Sequence, residues 1–149
     1  MIRGVLRHDG SRRRPFVSAL LAIPSLQRSG DTAFLVDTGA DSTLLAPRDA
    51  SLFGVDLALF PPGPPSTGVG GTVRTVQTSA TMTLGPHTYN LTLRILAPET
   101  RAQRIALARI PSLLGRDILA QFALFYDDQE DLVLLLEPDE AALLRRHLP

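Results

Sequence analysis

The chain has no cysteine and no lysine among its 149 residues, and these two absences exclude several kinds of chemistry. Without cysteine there is no disulfide, no thiolate metal ligand, no cysteine nucleophile and no thiol redox centre. Without lysine, a P-loop and a Schiff-base mechanism are excluded, because each depends on a lysine side chain. The three histidines (His8, His87 and His147) are scattered along the chain. We therefore expect no metal site and no cofactor.

A surplus of one charge and a long apolar run are also missing. Fifteen basic and fifteen acidic residues give a formal net charge of zero, which argues against a nucleic-acid partner. The apolar run 16–23 ends at Pro24 and is far shorter than the roughly 20 residues that span a membrane, so we predict no membrane-spanning segment. Arginines 12–14 precede this run as in a signal peptide, but no clean cleavage pattern follows. We interpret 15–26 as a strand after a basic turn and predict a cytoplasmic location, with the periplasm as the alternative.

Twelve prolines and few long helical patterns indicate a protein of strands and loops, of a length that suits one domain. The Pro- and Gly-rich stretch 61–71 predicts a mobile loop, and 139–148 predicts a terminal helix with acidic residues first and arginines last. A further helix is expected to open near Asp117. Strands are expected over 15–26, 32–37, 72–84, 88–96 and 105–114, with further apolar runs at 122–126 and 132–136.

The most informative segment is LVDTGADSTLL, residues 35–45, in which Asp37 directly follows an apolar strand and precedes Gly39. A carboxylate in that position is partly desolvated and is held by a rigid element, which suits a catalytic acid or base. Asp, Thr and Gly are also common turn residues, so an ordinary strand-to-turn transition is the alternative. The apolar residues on both sides favour the first interpretation.

A second segment, LLGRDIL at 113–119, lies about eighty residues downstream, and Gly-rich STGVGGTVRT lies between the two. In this order the three segments resemble the retropepsins, the single-domain aspartic proteases of retroviruses and their cellular and bacterial relatives. The resemblance covers roughly residues 15–137. It implies a mainly β fold, a closed retropepsin-like barrel with one short helix after the second motif and a C-terminal helix. It also implies a domain over 1–137, followed by a helical extension over 138–149.

The resemblance implies that Asp37, Thr38 and Gly39 are catalytic. Aspartic protease chemistry needs two carboxylates that share a proton around one water, and this chain has one Asp-Thr-Gly. Asp117 falls at a helix start and is no second copy. The resemblance therefore implies a homodimer whose two Asp37 side chains meet on the symmetry axis. It also implies that Thr38 bonds across the dimer and that the Gly39 carbonyl contacts a peptide or protein substrate. Because two close carboxylates cannot both ionise, we expect activity at acidic to mildly acidic pH.

Further residues take their expected roles from the same resemblance. Asp41 and Arg116 are expected to form a partly buried ion pair that locks the active-site loop to the helix, so that loss of either partner costs several kcal/mol. The flap hairpin is expected to open and close over the peptide. The substrate-binding residues implied are Ala40, Asp41, Gly68, Val69 and Gly70. The structural-support residues implied are Asp41, Leu114, Gly115 and Arg116.

Other interpretations of the chain lie outside peptide hydrolysis. A non-catalytic retropepsin-like domain that binds peptides or mediates dimerisation is the main alternative, although such a domain has no need of Asp37. Phosphoryl transfer with Asp37 as acceptor is disfavoured, because the chain lacks lysine and the next acid, Asp41, stands four positions on. A calcium loop is disfavoured too, because its alternating acids are absent. The run 132–136 is expected either to form the dimer sheet or to be a core strand capped by the terminal helix.

Overall fold

The computed structural model describes residues 1–9, 11–68 and 71–148, and β-strands dominate these ranges. The strands are Ile2–Arg3 (β1), Val5–Asp9 (β2), Arg12–Ile23 (β3), Arg28–Val36 (β4), Leu44–Leu45 (β5), Pro62–Gly68 (β6), Gly71–Leu84 (β7), His87–Leu96 (β8), Ser112–Leu114 (β9), Ala123–Asp127 (β10) and Leu132–Leu136 (β11). The α-helices are Pro47–Leu52 (α1), Arg101–Leu107 (α2), Arg116–Leu119 (α3) and Pro138–Arg145 (α4). Two short 3₁₀ turns cover Pro24–Leu26 and Leu57–Leu59.

Eight of these strands form one sheet, in the order β2-β3-β4-β9-β5-β8-β7-β6. Strand β3 also pairs with β7, where Leu21 lies opposite Met82. A closed ring of paired strands therefore forms, in the order β3, β4, β9, β5, β8 and β7. The inward positions alternate along the strands as a sheet with one buried face requires. Leu93 and Ile95 of β8, for example, are both fully buried. The predicted mainly β fold is confirmed, and the ring of paired strands agrees with the predicted barrel.

The hairpin predicted at the start of the chain is present as β3 and β4, which pair antiparallel from Phe16 opposite Leu35 to Ile23 opposite Arg28. Strand β4 then runs parallel to β9, with Val36 opposite Leu114. Parallel neighbours end at the same edge of a sheet. The residues that follow the two strands, Asp37 and Gly115, are therefore brought together although they are far apart in sequence.

Three local predictions are wrong. Of the strand expected over 105–114, residues 105–107 are the end of helix α2, and only β9 is extended. The helix forms because the Thr100 side chain accepts a hydrogen bond of 3.1 Å from the Gln103 N–H and caps it. The mobile loop expected over 61–71 is largely strand β6, at the outer edge of the sheet, where proline is tolerated. The basic turn expected over 12–14 is the beginning of β3.

A second, three-stranded sheet has the order β1-β11-β10. Strand β11 lies in its middle, and Val133 and Leu135 are fully buried. Helix α4 begins with Pro138 at its first position, and its Ala141 side chain is buried. Within the described ranges, no helix is long and apolar enough to cross a membrane.

Candidate active site

Asp37 stands at the point where strand β4 leaves the sheet. Val36 is buried and paired with Leu114, and the Asp37 N–H donates a hydrogen bond of 3.1 Å to the Leu114 carbonyl. The backbone of Asp37 is thus held by the central sheet, while its side chain is only partly buried. A carboxylate fixed in this way keeps one orientation and remains accessible to a ligand.

A tight turn after Asp37 orients the carboxylate. The Gly39 N–H donates to Asp37 Oδ1 at 2.9 Å, and the Ala40 N–H donates to the Asp37 carbonyl at 3.2 Å. A Cβ atom on Gly39 would lie 3.2 Å from Oδ1, closer than nearly all such contacts. Thr38 and Gly39 are exposed. The turn therefore holds one carboxylate oxygen and presents Thr38 to the outside.

The second motif is joined to this turn by backbone hydrogen bonds. The Arg116 N–H donates to the Ala40 carbonyl at 2.8 Å, and the Asp117 N–H donates to the Asp41 carbonyl at 3.2 Å. Leu114 is fully buried. A Cβ atom on Gly115 would lie 2.6 Å from the Ser42 carbonyl oxygen, so only glycine permits this close approach.

The side chain of Asp117, which is itself exposed, joins the two motifs through the buried Thr43. Its carboxylate accepts hydrogen bonds from the Thr43 N–H at 3.0 Å and from the Thr43 hydroxyl at 2.7 Å. The same hydroxyl accepts from the Gly115 N–H at 3.2 Å, and Thr43 is fully buried. The sequence placed Asp117 at a helix start, as observed in α3, but gave no signal of this contact.

Asp41 and Arg116 do form an ion pair, but the pair is not partly buried as predicted. The Arg116 side chain is 60% exposed and that of Asp41 is 79% exposed. Water screens such a pair, which then contributes little to stability. The predicted cost of several kcal/mol depended on burial, so we now expect a cost below about 1 kcal/mol. The hydrogen bonds between Asp117 and Thr43 also join the two motifs.

A groove of about 600 Å³ runs past Asp37 beneath the hairpin of β6 and β7. One wall comes from the segment 37–42, one from residues 65–68 of β6, and one from β8 through Arg94. Of the expected flap-tip residues, Gly68 lines the groove and pairs with Gly71, whereas Val69 and Gly70 lie outside the described residues. The groove is lined by Asp37, Gly39, Ala40, Asp41, Ser42, Leu44, Pro65, Ser66, Thr67, Gly68, Arg94 and Leu113.

Below the turn, a buried polar contact fixes helix α1 to strand β9. The Ser112 hydroxyl donates to Asp49 Oδ2 at 2.6 Å and accepts from the Ala46 N–H at 2.9 Å. This contact holds β5 and β9 together beneath the groove, and it was not foreseen from the sequence. In the part of the chain that the structure describes, no group of three or more His, Asp or Glu side chains could hold a metal ion.

No protein-family model and no curated protein matches the chain. Among solved structures, a retropepsin-like aspartic protease from Rickettsia conorii matches at a TM-score of 0.59, with 19% identity over 91% of each chain. EIAV protease in complex with the inhibitor HBY-793 matches at 0.52, with 22% identity over 76% of this chain and 92% of that one. The chain has the retropepsin fold.

The retropepsin fold accounts for the meeting of the two motifs, because β4 and β9 carry them to one edge of the sheet. The resemblance stated from the motifs alone thus agrees with the fold. At this level of identity the comparison speaks for the fold. The chemistry of the groove depends on the residues of this chain, above all on the accessible carboxylate of Asp37, which is held on a rigid turn in the groove that Arg94 also lines.

Proposed function

We propose that this protein is an aspartic endopeptidase, active as a homodimer, that hydrolyses peptide bonds through a water activated by the paired Asp37 residues. The observation that carries the proposal is the placement of Asp37. Its carboxylate is accessible at one wall of the groove, and the Gly39 N–H holds one of its oxygens at 2.9 Å. The role of Asp117 supports it too, since its carboxylate is occupied by Thr43 and does not serve as a second acid.

The chemistry follows from two such carboxylates that share one proton. The ionised Asp37 takes a proton from the water as its oxygen attacks the carbonyl carbon of the peptide. The protonated Asp37 of the partner subunit donates to the carbonyl oxygen, and a tetrahedral diol forms. The first Asp37, now protonated, donates its proton to the peptide nitrogen, and the ionised Asp37 of the partner subunit takes a proton from one diol hydroxyl. The C–N bond breaks, the carboxylic acid and the amine leave, and the pair again holds one proton. No covalent intermediate with the protein is formed.

The edge of β10 is the seam that we propose for the dimer. Strand β10 is the outer strand of its sheet, so in the described structure its free edge has no partner strand. It carries Leu124, Phe125 and Tyr126, which are 39%, 36% and 46% exposed. An exposed apolar edge pairs readily with another strand, and two-fold pairing of β10 with its copy extends the sheet to six strands. Strand β11, expected as a possible seam, lies inside the sheet instead.

Extended peptide is the substrate that we propose, bound alongside the hairpin of β6 and β7 by strand-like main-chain contacts. Ala40, Asp41 and Gly68 line the groove where such contacts would be made. Binding roles for Val69 and Gly70 stay predictions, as do the division at residue 137, a bacterial source and a cytoplasmic location.

The test is cleavage of a mixed peptide library near pH 4–6, a range set by the shared proton of the pair, with the wild type and Asp37→Asn. The control is Asp31→Asn, an exposed acid in the same strand. We expect the wild type and Asp31→Asn to cleave and Asp37→Asn to be inactive with an unchanged circular dichroism spectrum. Cleavage by Asp37→Asn at the wild-type rate would refute the proposal. No cleavage by the wild type at any protein concentration would favour a non-catalytic peptide-binding domain.

Mixing the wild type with Asp37→Asn tests whether one active centre needs two chains. If heterodimers are inactive, an equimolar mixture that exchanges subunits should show about half the activity per wild-type chain, because half of those chains then have an inactive partner. A mixture with Asp31→Asn should show no such loss. Activity that stays proportional to the wild-type concentration would contradict a centre shared by two subunits.

A further inference from the structure

One wall of the groove carries a cation that no carboxylate neutralises within the described residues. Arg94, on β8, lines the same groove as Asp37 and is partly buried. One of its terminal nitrogens donates to the Pro64 carbonyl and, at 3.1 Å, to the Pro65 carbonyl, both in strand β6. Its Nε atom is buried and has no hydrogen-bond partner among the described residues. The guanidinium therefore meets two neutral acceptors and keeps unused donor capacity.

The position of Arg94 is fixed by the sheet. Its neighbours Leu93 and Ile95 are fully buried, and their backbones pair with β7. On its other side β8 runs parallel to β5, with Arg94 opposite Leu44, which also lines the groove. Side chains alternate along a strand, so Arg94 points away from the core that contains its two neighbours. A cation is thus held on a rigid strand at the wall of the groove.

Among the described residues, the two acids that line the groove, Asp37 and Asp41, have other interactions. Asp41 is paired with Arg116. Asp37 of the two subunits would share one proton around the attacking water. A partly desolvated cation is unfavourable unless an anion or enough hydrogen bonds compensate it. Arginine presents its donors as a planar fork that matches a carboxylate.

We propose that Arg94 is a specificity-determining residue, which binds the carboxylate of an aspartate or glutamate side chain of the peptide substrate. The inference rests on the proposed endopeptidase function and names its substrate class. The substrates are peptides with an acidic residue that binds between β8 and residues 64–65 of β6. Because the contact is made to a substrate side chain and not to the reacting atoms, it acts mainly through binding, and its removal should raise KM more than it lowers kcat.

The test uses peptide pairs that differ only by Glu in place of Gln, or Asp in place of Asn, at each position around the cleaved bond. We expect the wild type to prefer the acid at one position by about tenfold or more in kcat/KM, as for a charge-assisted hydrogen bond. Arg94→Gln should abolish this difference, Arg94→Lys should keep part of it, and Arg94→Glu should favour a basic residue at that position. Arg74→Gln is the matched control, since Arg74 pairs with Glu99 outside the groove.

Two results would overturn the inference. If Arg94→Gln lowers cleavage of the acid and amide peptides equally, Arg94 only supports the hairpin. A binding measurement separates this inference from catalysis: peptide libraries with a fixed Glu or a fixed Gln are passed over immobilised Asp37→Asn protein, and retained peptides are counted by mass spectrometry. We expect enrichment of the Glu library, lost in the Asp37→Asn/Arg94→Gln protein. Equal retention would overturn the inference even if the wild type cleaves peptides, whereas enrichment without any cleavage by the wild type would refute only the proposed hydrolysis.

Discussion

The hydroxyl of Thr43 donates a 2.7 Å hydrogen bond to the carboxylate of Asp117, across 74 residues of sequence. The same hydroxyl accepts from the Gly115 N–H, so the one buried side chain of Thr43 joins the segment after Asp37 to the segment before α3. Removal of a buried partner leaves the remaining polar groups unpaired, which costs more than the net value of the bond itself. The stability of the turn should therefore depend on this contact more than on the exposed ion pair beside it.

Thr43→Val should lower the free energy of unfolding by about 1–3 kcal/mol, because it leaves the buried Gly115 N–H unpaired and removes the hydroxyl hydrogen bond to the Asp117 carboxylate. Thr43→Ser, which keeps the hydroxyl, should lose less. Asp41→Asn and Arg116→Gln should each change the free energy by less than about 1 kcal/mol, since that pair is solvated. Urea unfolding followed by circular dichroism measures all four variants. A larger loss for Asp41→Asn than for Thr43→Val would contradict this assignment.

Gly115→Ala should destabilise the protein by about 1–3 kcal/mol, the usual range for overpacking. The added methyl group would lie 2.6 Å from the Ser42 carbonyl oxygen and 2.8 Å from the Thr43 nitrogen, and backbone atoms move less easily than side chains. Gly30→Ala is the control, because its methyl group would meet Phe53 at an ordinary 3.7 Å. It should change the free energy of unfolding, measured in urea, by less than about 1 kcal/mol in either direction. Equal losses of stability for Gly115→Ala and Gly30→Ala would show that the two motifs can move apart without cost.

Phe125→Lys should weaken the proposed dimer by about tenfold or more in Kd, because it puts a charge on each side of the two-fold seam. Ile105→Lys is the control, since Ile105 is 67% exposed on α2 rather than on β10. Sedimentation velocity over a range of concentrations should show dissociation for Phe125→Lys alone, with a parallel loss of peptidase activity. A Phe125→Lys protein that remains a dimer would exclude the β10 edge as the seam.

Local sequence patterns predict the strands correctly where one face of the strand is buried by the sheet. The apolar runs around 15–37 predict the β3–β4 hairpin, and the Tyr89–Ile95 alternation predicts β8. The apolar run that contains Ile105 and Leu107 predicts a strand, but a capped helix forms at these two residues. There the Thr100 side chain caps a helix, while the Gln103 side chain accepts from the Glu99 N–H at 2.9 Å. Such short-range competition between a cap and a strand is weakly encoded in composition.

The tertiary contacts of the site could not be predicted from local pattern. Arg94 meets the carbonyl of Pro65, 29 residues earlier, only because β6 is the edge strand beyond β7 and β8. The exposure of the Asp41–Arg116 pair depends on how far each side chain extends from the turn, which spacing alone does not show. The family resemblance predicts that the two motifs meet. The contact between Asp117 and the buried Thr43 is seen only in the structure.

The two tyrosines of the chain, Tyr89 and Tyr126, should ionise at higher pH in the folded protein than in urea. Desolvation, and then the nearby charge of Glu137, raises the pKa of Tyr89 above 10.0; desolvation, and then the charge of Asp128, raises the pKa of Tyr126. The folded state thus retains these protons longer, so the stability that they contribute is present below about pH 10 and falls as the pH rises through the raised values. Phenolate absorbance during alkaline titration measures both groups, and Tyr126→Phe isolates Tyr89. Superimposable titration curves for folded and unfolded protein would contradict this, because desolvation must favour the neutral phenol.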